Sequence, residues 1–141
     1  MSLESIYRKQ WLESLNNSSK CILYRNFKKE FGKENYINQL PNMFVFALIK
    51  FRCSSHKLEI ETGRKNGINR EDRLCKCCSM NALGDEFHFV FECPKYNENR
   101  LKYIPQKYLS VHSMFSLCNL ISGSKSVKLK LAKFIKFGNI V

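Results

Sequence analysis

Aspartate is nearly absent: Asp72 and Asp85 are the only two, and no acidic residue of any kind follows Glu98. The chain therefore offers no cluster of carboxylates for a two-metal polymerase or nuclease site. It has no glycine-rich phosphate loop. A Cys–His nucleophile pair is formally available, but nothing places a base or an oxyanion hole beside it. Catalysis by this chain is not expected. Proline and glycine are scarce, at 3 and 6 residues, which leaves most segments free to be regular. Long hydrophobic runs are also missing. The longest, Met43 to Ile49, is far too short to cross a bilayer. The first ten residues contain no apolar signal region. These absences predict an intracellular protein with no membrane partner; a nuclear location is expected separately, from the nucleic-acid reading.

What is present argues for folding. Of the 141 residues, 44% are hydrophobic and 13% aromatic, enough for one domain with a real core. Lys and Arg number 24 against 12 Asp and Glu, a net charge of +12. Such an excess fits a polyanionic partner, nucleic acid first. The competing explanation is that lysines only solvate a Phe-rich protein. Seven cysteines is an odd number. In a reduced compartment, metal ligation explains them better than disulfides.

Periodicity predicts a mainly α fold: a small helical domain with an embedded zinc knuckle. One compact domain is expected, made of an N-terminal helical region (1–63), a knuckle module (64–110) and C-terminal basic helices (111–141). Leu3, Tyr7, Trp11 and Leu15 repeat every four residues, so 3–16 reads as an amphipathic helix with Trp11 in the core. A second helix is expected over 21–31, capped by Gly32, and a short helical connector over 34–40. Pro41 suits the first turn of a nearly all-apolar helix, Asn42 to Arg52, at the centre of the core. Cys53 reads as core and His56 as surface. Leu58 to Gly63 alternates, and 64–67 reads as a basic turn. Asp85 is placed to cap a helix over 86–92, Pro94 to start another, and Pro105 to end it. Residues 114–121 and 127–137 complete the helices. On the last, Lys128, Lys130, Lys133 and Lys136 are expected to stay wet.

Cys75, Cys78, His88 and Cys93 form C-x2-C-x9-H-x4-C, a spacing suited to tetrahedral Zn²⁺. Two thiolates two residues apart grip a metal from a tight turn. His88 and Cys93 close the shell from a following helix. Four protein ligands leave no open position for water, so the single zinc is expected to be structural. Cys77 makes C-x-C with Cys75 an alternative pair, tighter and rarer. Cys75 with Cys78 is preferred, and Cys77 is left as a spare thiol. His112 and Cys118 have no such company. The cations beside the knuckle, Arg64, Lys65, Arg70, Arg73, Lys76, Lys95 and Arg100, are candidate phosphate contacts. Phe87 or Phe89 could stack on a base, though a core role suits either better.

The run Arg73-x-Cys75-x2-Cys78, then Asp85-Glu-Phe-His88-x4-Cys93-Pro94-x-Tyr96-x3-Arg100, resembles the zinc-binding segment near the C-terminus of non-LTR (LINE-like) retrotransposon reverse transcriptases. Residues 51–64 are similar to the stretch before that knuckle, and Leu131 to Lys136 to the end of such polyproteins. The resemblance implies zinc on Cys75, Cys78, His88 and Cys93. It also implies a role in gripping RNA or DNA beside a reverse transcriptase core, and not in catalysis. Neither the polymerase palm motif nor an endonuclease domain is present, so the chain reads as a fragment. A protein-docking module of a larger polyprotein, and a remnant without function, are the alternatives.

Overall fold

The computed structural model describes all residues from Met1 to Val141. Nine α-helices account for most of the chain: α1 (Leu3–Asn17), α2 (Ile22–Phe27), α3 (Tyr36–Gln39), α4 (Asn42–Arg52), α5 (Glu59–Lys65), α6 (Asn97–Tyr103), α7 (Gln106–Leu109), α8 (Met114–Ile121) and α9 (Lys125–Phe137). A 3-10 turn (Arg70–Asp72), a π-helical segment (His88–Glu92) and a second 3-10 turn (Pro94–Tyr96) lie between α5 and α6. There are no strands, only one antiparallel bridge between Leu74 and Leu83. No helix is long and apolar enough to cross a membrane.

The core forms where α4 and α9 pack. Leu48 and Phe51 of α4 meet Leu131, Phe134 and Ile135 of α9, with Leu117, Leu120 and Ile121 of α8 alongside. Phe89 joins from the π segment, 4.6 Å between ring centroids from Phe134. Each such side chain stabilises the fold by about 1.5–3 kcal/mol when fully withdrawn from water. One core cluster draws residues from before, within and after the knuckle.

Several helix limits match their capping chemistry. Ser124 accepts from the Val127 N–H and starts α9, two residues before the expected start. Pro41 precedes α4, and Pro94 opens its 3-10 turn. Other expectations fail, for local reasons. The second helix stops at Phe27, not Phe31, because Lys28 turns extended and its ammonium reaches back to Glu34, 2.7 Å away. Gly32 therefore caps nothing. The alternating stretch Leu58–Gly63 is helical instead. Its end is a Schellman motif, in which Ile68 N–H donates to Gly63 O and Gly67 takes φ +71°. Packing decides it: Arg73 lies across Gly63 and donates to Ile60 O and Ile68 O.

Three burial expectations also need correction. Trp11 is half-buried against Phe31, and most of the α1 stripe, including Leu3 and Tyr7, faces solvent. Lys128 is not wet: it is half-buried and donates to Gly123 O at 2.9 Å; Lys133 and Lys136 are half-buried too, and of the four only Lys130 is exposed. His56 is buried, not on the surface. Ser54, in the left-handed region at φ +55°, turns the chain inward after α4. His56 Nε2 then lies 2.8 Å from Glu86 Oε1, and its Nδ1 accepts from the Leu58 N–H. Ser54 Oγ donates to the same Glu86 oxygen. Every polar atom of this buried group is satisfied, as a low-dielectric interior demands.

A second polar centre joins α2, α4 and the loop before α3. Arg52, only 4% exposed, lies 4.4 Å from the Phe27 ring centroid and 5.1 Å from that of Tyr36. Glu34 Oε1 accepts from Arg52 at 2.9 Å and from Lys28. Burial alone would raise the Glu34 carboxyl; the Lys28 hydrogen bond and the charges of Arg52, Lys28 and Lys128 outweigh it and hold the pKa below its usual value. A depressed carboxylate pKa stabilises the fold above the unfolded value of about 4.3, and that stability is lost as pH falls through the folded value. Urea midpoints measured between about pH 5 and pH 3 should therefore fall less steeply for Glu34→Gln than for the wild type. Parallel curves would refute the pairing.

Candidate metal centre

Three local structures bring four ligands to one point. The first is the loop closed by the Leu74–Leu83 bridge, in which Cys75 N–H donates to Ala82 O and Gly84 N–H to Arg73 O. Asn81, at φ +53°, makes its turn. Gly84 must be glycine here, since a Cβ would stand 2.8 Å from Glu59 Cβ and 3.2 Å from the Cys75 backbone. The loop presents Cys75 and Cys78. The second is the Asp85 cap, whose Oδ1 accepts from the His88 N–H at 2.9 Å.

The third is the π segment. An α-helix would set residues five apart about 140° apart around its axis, so His88 and Cys93 would diverge. Here the Cys93 N–H donates to His88 O, five residues back, at 2.8 Å. The wider turn returns Cys93 to the side of His88. The helix expected over 86–92 is thus present, but of the type that the ligand geometry needs.

The resulting cluster is tight. The ligand atoms of Cys75, Cys78, His88 and Cys93 all lie within 4.8 Å of one another. Cys75 Sγ is 3.9 Å from Cys93 Sγ, and Cys78 Sγ is 3.3 Å from His88 Nε2. No disulfide joins them. These atoms lie close enough to hold one metal ion. Cys77 is excluded from the set: its thiol is exposed and faces the Lys95 ammonium at 3.6 Å. Its backbone N–H instead donates to Cys75 Sγ at 3.4 Å.

The electrostatics favour a cation. Burial pushes the Cys75 thiol up to about 12 and raises Cys93 as well. The Met80 N–H, helped by His88 and the other thiols, lowers Cys78 to about 7. Three thiols this close do not all ionise beside one another, whereas a bound metal ion deprotonates coordinating thiols outright. A residue not foreseen from the sequence completes the centre. Glu92 Oε2 lies 3.0 Å from His88 Nδ1 and orients the ring so that Nε2 faces the thiols. The H-x3-E spacing was the available signal, since residues four apart share a helix face.

The candidate phosphate contacts differ in how free they are. Arg100 leaves the set: it is buried, and its guanidinium donates to Val90 O, Phe89 O and Cys93 O and to the Asn97 side chain. It satisfies Phe89 O and Val90 O within the π segment, and adds a second bond to Cys93 O, which also accepts from the Tyr96 N–H. Arg73 is half-buried and engaged with α5, and Arg64 is paired at 2.9 Å with buried Glu61. Lys65 and Arg70 are exposed. Lys76 and Lys95 line a cavity of about 170 Å³ beside the cluster, together with Lys57, which sequence reasoning passed over. Phe89 is fully buried and Phe87 half-buried, so Phe89 presents no stacking face.

Fold and site together define a mainly helical domain built around a closed Cys/His cluster that can hold a metal ion. Comparison with protein-family models, curated proteins and solved structures finds no match to this chain.

The ligand assignment makes a specific prediction. Cys77→Ser should retain the metal content of the wild type, whereas Cys78→Ser should lose it, as read by elemental analysis of purified protein. Glu92→Gln should keep the stoichiometry but weaken metal affinity about 10–100-fold. Equal metal loss in the Cys77 and Cys78 variants would contradict the assignment.

Proposed function

We propose that the chain is a zinc-stabilised nucleic-acid-binding module. Zinc is the metal that suits three thiolates and one imidazole in a closed tetrahedral shell. Its role is to order residues 63–85, a polar stretch with little apolar surface of its own. The observation that carries the binding reading is the trio Lys57, Lys76 and Lys95 around one cavity at the metal cluster. Lys76 is half-neutralised by Glu59 at 3.1 Å, which a phosphate can displace at an exposed ion pair. Lys65 and Arg70 are further exposed cations, and the net charge of +12 supplies the long-range attraction. Contacts of this kind grip RNA or DNA through phosphates with little sequence preference. The resemblance to the C-terminal region of non-LTR retrotransposon reverse transcriptases supplies the context: grip beside a polymerase core, without catalysis here.

A second reading has its own observation. Met43, Phe46 and Ile49 project from α4 into solvent, with Phe46 65% exposed. Exposed apolar residues on the central helix favour a packing module that docks on a larger protein.

Fluorescence anisotropy with single-stranded RNA and DNA tests the first reading. Affinity should fall steeply between 50 and 200 mM salt, by roughly 0.7 logarithmic units per logarithmic unit of salt for each phosphate contact. Replacing Lys57, Lys76 and Lys95 together by Gln should flatten that slope by about 2. Salt-independent binding, or an unchanged slope in the triple variant, would refute it.

A further inference from the structure

At the far end of α9 from the metal cluster lies a second basic site. Lys28, Lys29, Arg52 and Lys128 line an open basin of about 390 Å³ with Glu30, Glu34 and Ser122; Phe27 is its only apolar wall. Four cations face two carboxylates, so two positive charges remain over. Glu34 Oε1 takes both Lys28 and Arg52 and leaves its partner oxygen outside these bonds. Lys128 Nζ meets no carboxylate; it donates to Gly123 O at 2.9 Å and lies 5.9 Å from the Tyr36 ring centroid. Burial, and then the charge of Arg52, lower the pKa of Lys128. Gathering like charges in a partly desolvated hollow is costly unless an anion offsets them.

The basin is built and not a chance of flexible side chains. Arg52 is buried, held between two aromatic rings, and bonded to Ile121 O as well as to Glu34. Lys28 is anchored twice, to Glu34 and to Gly32 O. Ser122 adds a hydroxyl at the rim. Lys128 sits near the start of α9, and the residues Gly138–Ile140 that line the metal-side cavity follow its end. Ten residues at 1.5 Å each put the two sites about 15 Å apart along the helix.

We propose that this basin is a binding site for a phosphate dianion, free or as a terminal phosphomonoester. A phosphate group of charge about −1.5 to −2 matches the surplus of two and offers oxygens to several donors at once. A single carboxylate would leave one charge over. The terminal phosphate of a nucleic-acid strand and free inorganic phosphate share this chemistry. The site stands whether or not the lysines at the metal cluster bind nucleic acid.

Calorimetric titration with inorganic phosphate tests it without any nucleic acid. The wild type should bind one phosphate per chain at the basin. Lys128→Gln, and separately Lys28→Gln, should each weaken binding about tenfold, in keeping with the loss of one charge-assisted hydrogen bond. Lys130→Gln, on an exposed part of α9, should bind as the wild type does. Helicity by circular dichroism should be unchanged in all three. A 5′-phosphorylated oligonucleotide that outbinds its 5′-hydroxyl twin, with the difference abolished by Lys128→Gln, would identify a strand end as the ligand. Equal binding of the twins would leave free phosphate as the ligand. Absence of phosphate binding, or equal binding by the wild type and both basin variants, would overturn the proposal.

Discussion

Everything around residues 63–100 depends on bringing three thiols and one imidazole within 4.8 Å of one another. No apolar burial could replace that constraint. The loop from Leu74 to Leu83 has a single bridge and mostly exposed residues, so its conformation costs backbone entropy with little burial in return. A metal ion bound by four ligands can supply about 10–16 kcal/mol toward such ordering. The π segment is part of the same device. It spends one regular α turn to put Cys93 beside His88, and Arg100 then satisfies the carbonyls Phe89 O, Val90 O and Cys93 O. An arginine that looked like a phosphate contact is thus a brace for the ligand-bearing turn.

The cluster is also tied to the hydrophobic core. Cys93 is fully buried, and Phe89, one residue after His88, packs on Tyr96 and Phe134. Glu86 reaches the other way and holds buried His56 and Ser54 behind α4. Metal ligands, aromatic core and buried polar group therefore alternate along a single eight-residue stretch, Glu86 to Cys93. The same stretch thus contacts both α4 and α9. A metal ion held by Cys75, Cys78, His88 and Cys93 would have four protein ligands, the number of a closed structural site.

Much of this was legible in the sequence because the signals were local. Apolar spacing marks α8, Pro41 and the length of the apolar run mark α4, and Cys/His spacing marks the cluster, whereas the sequence does not single out the Ser124 cap that starts α9. The rest depended on contacts between distant residues. Nothing near His56 in the chain reveals Glu86, 30 residues later, as its partner. Short alternation in Leu58–Gly63 cannot distinguish a strand from one turn of helix; Arg73 packing on Gly63 decides it. Charge alone does not tell Arg100, buried under carbonyls, from Lys95, exposed at the cavity. The choice between Cys77 and Cys78 likewise rests on where the loop points each thiol.

X-ray absorption at the zinc edge tests the central claim most directly. Protein purified without added metal should carry one zinc per chain with three sulfur neighbours at about 2.3 Å and one nitrogen at about 2.0–2.1 Å. A shell dominated by oxygen, a different sulfur count, or no bound metal in well-folded protein would contradict the account.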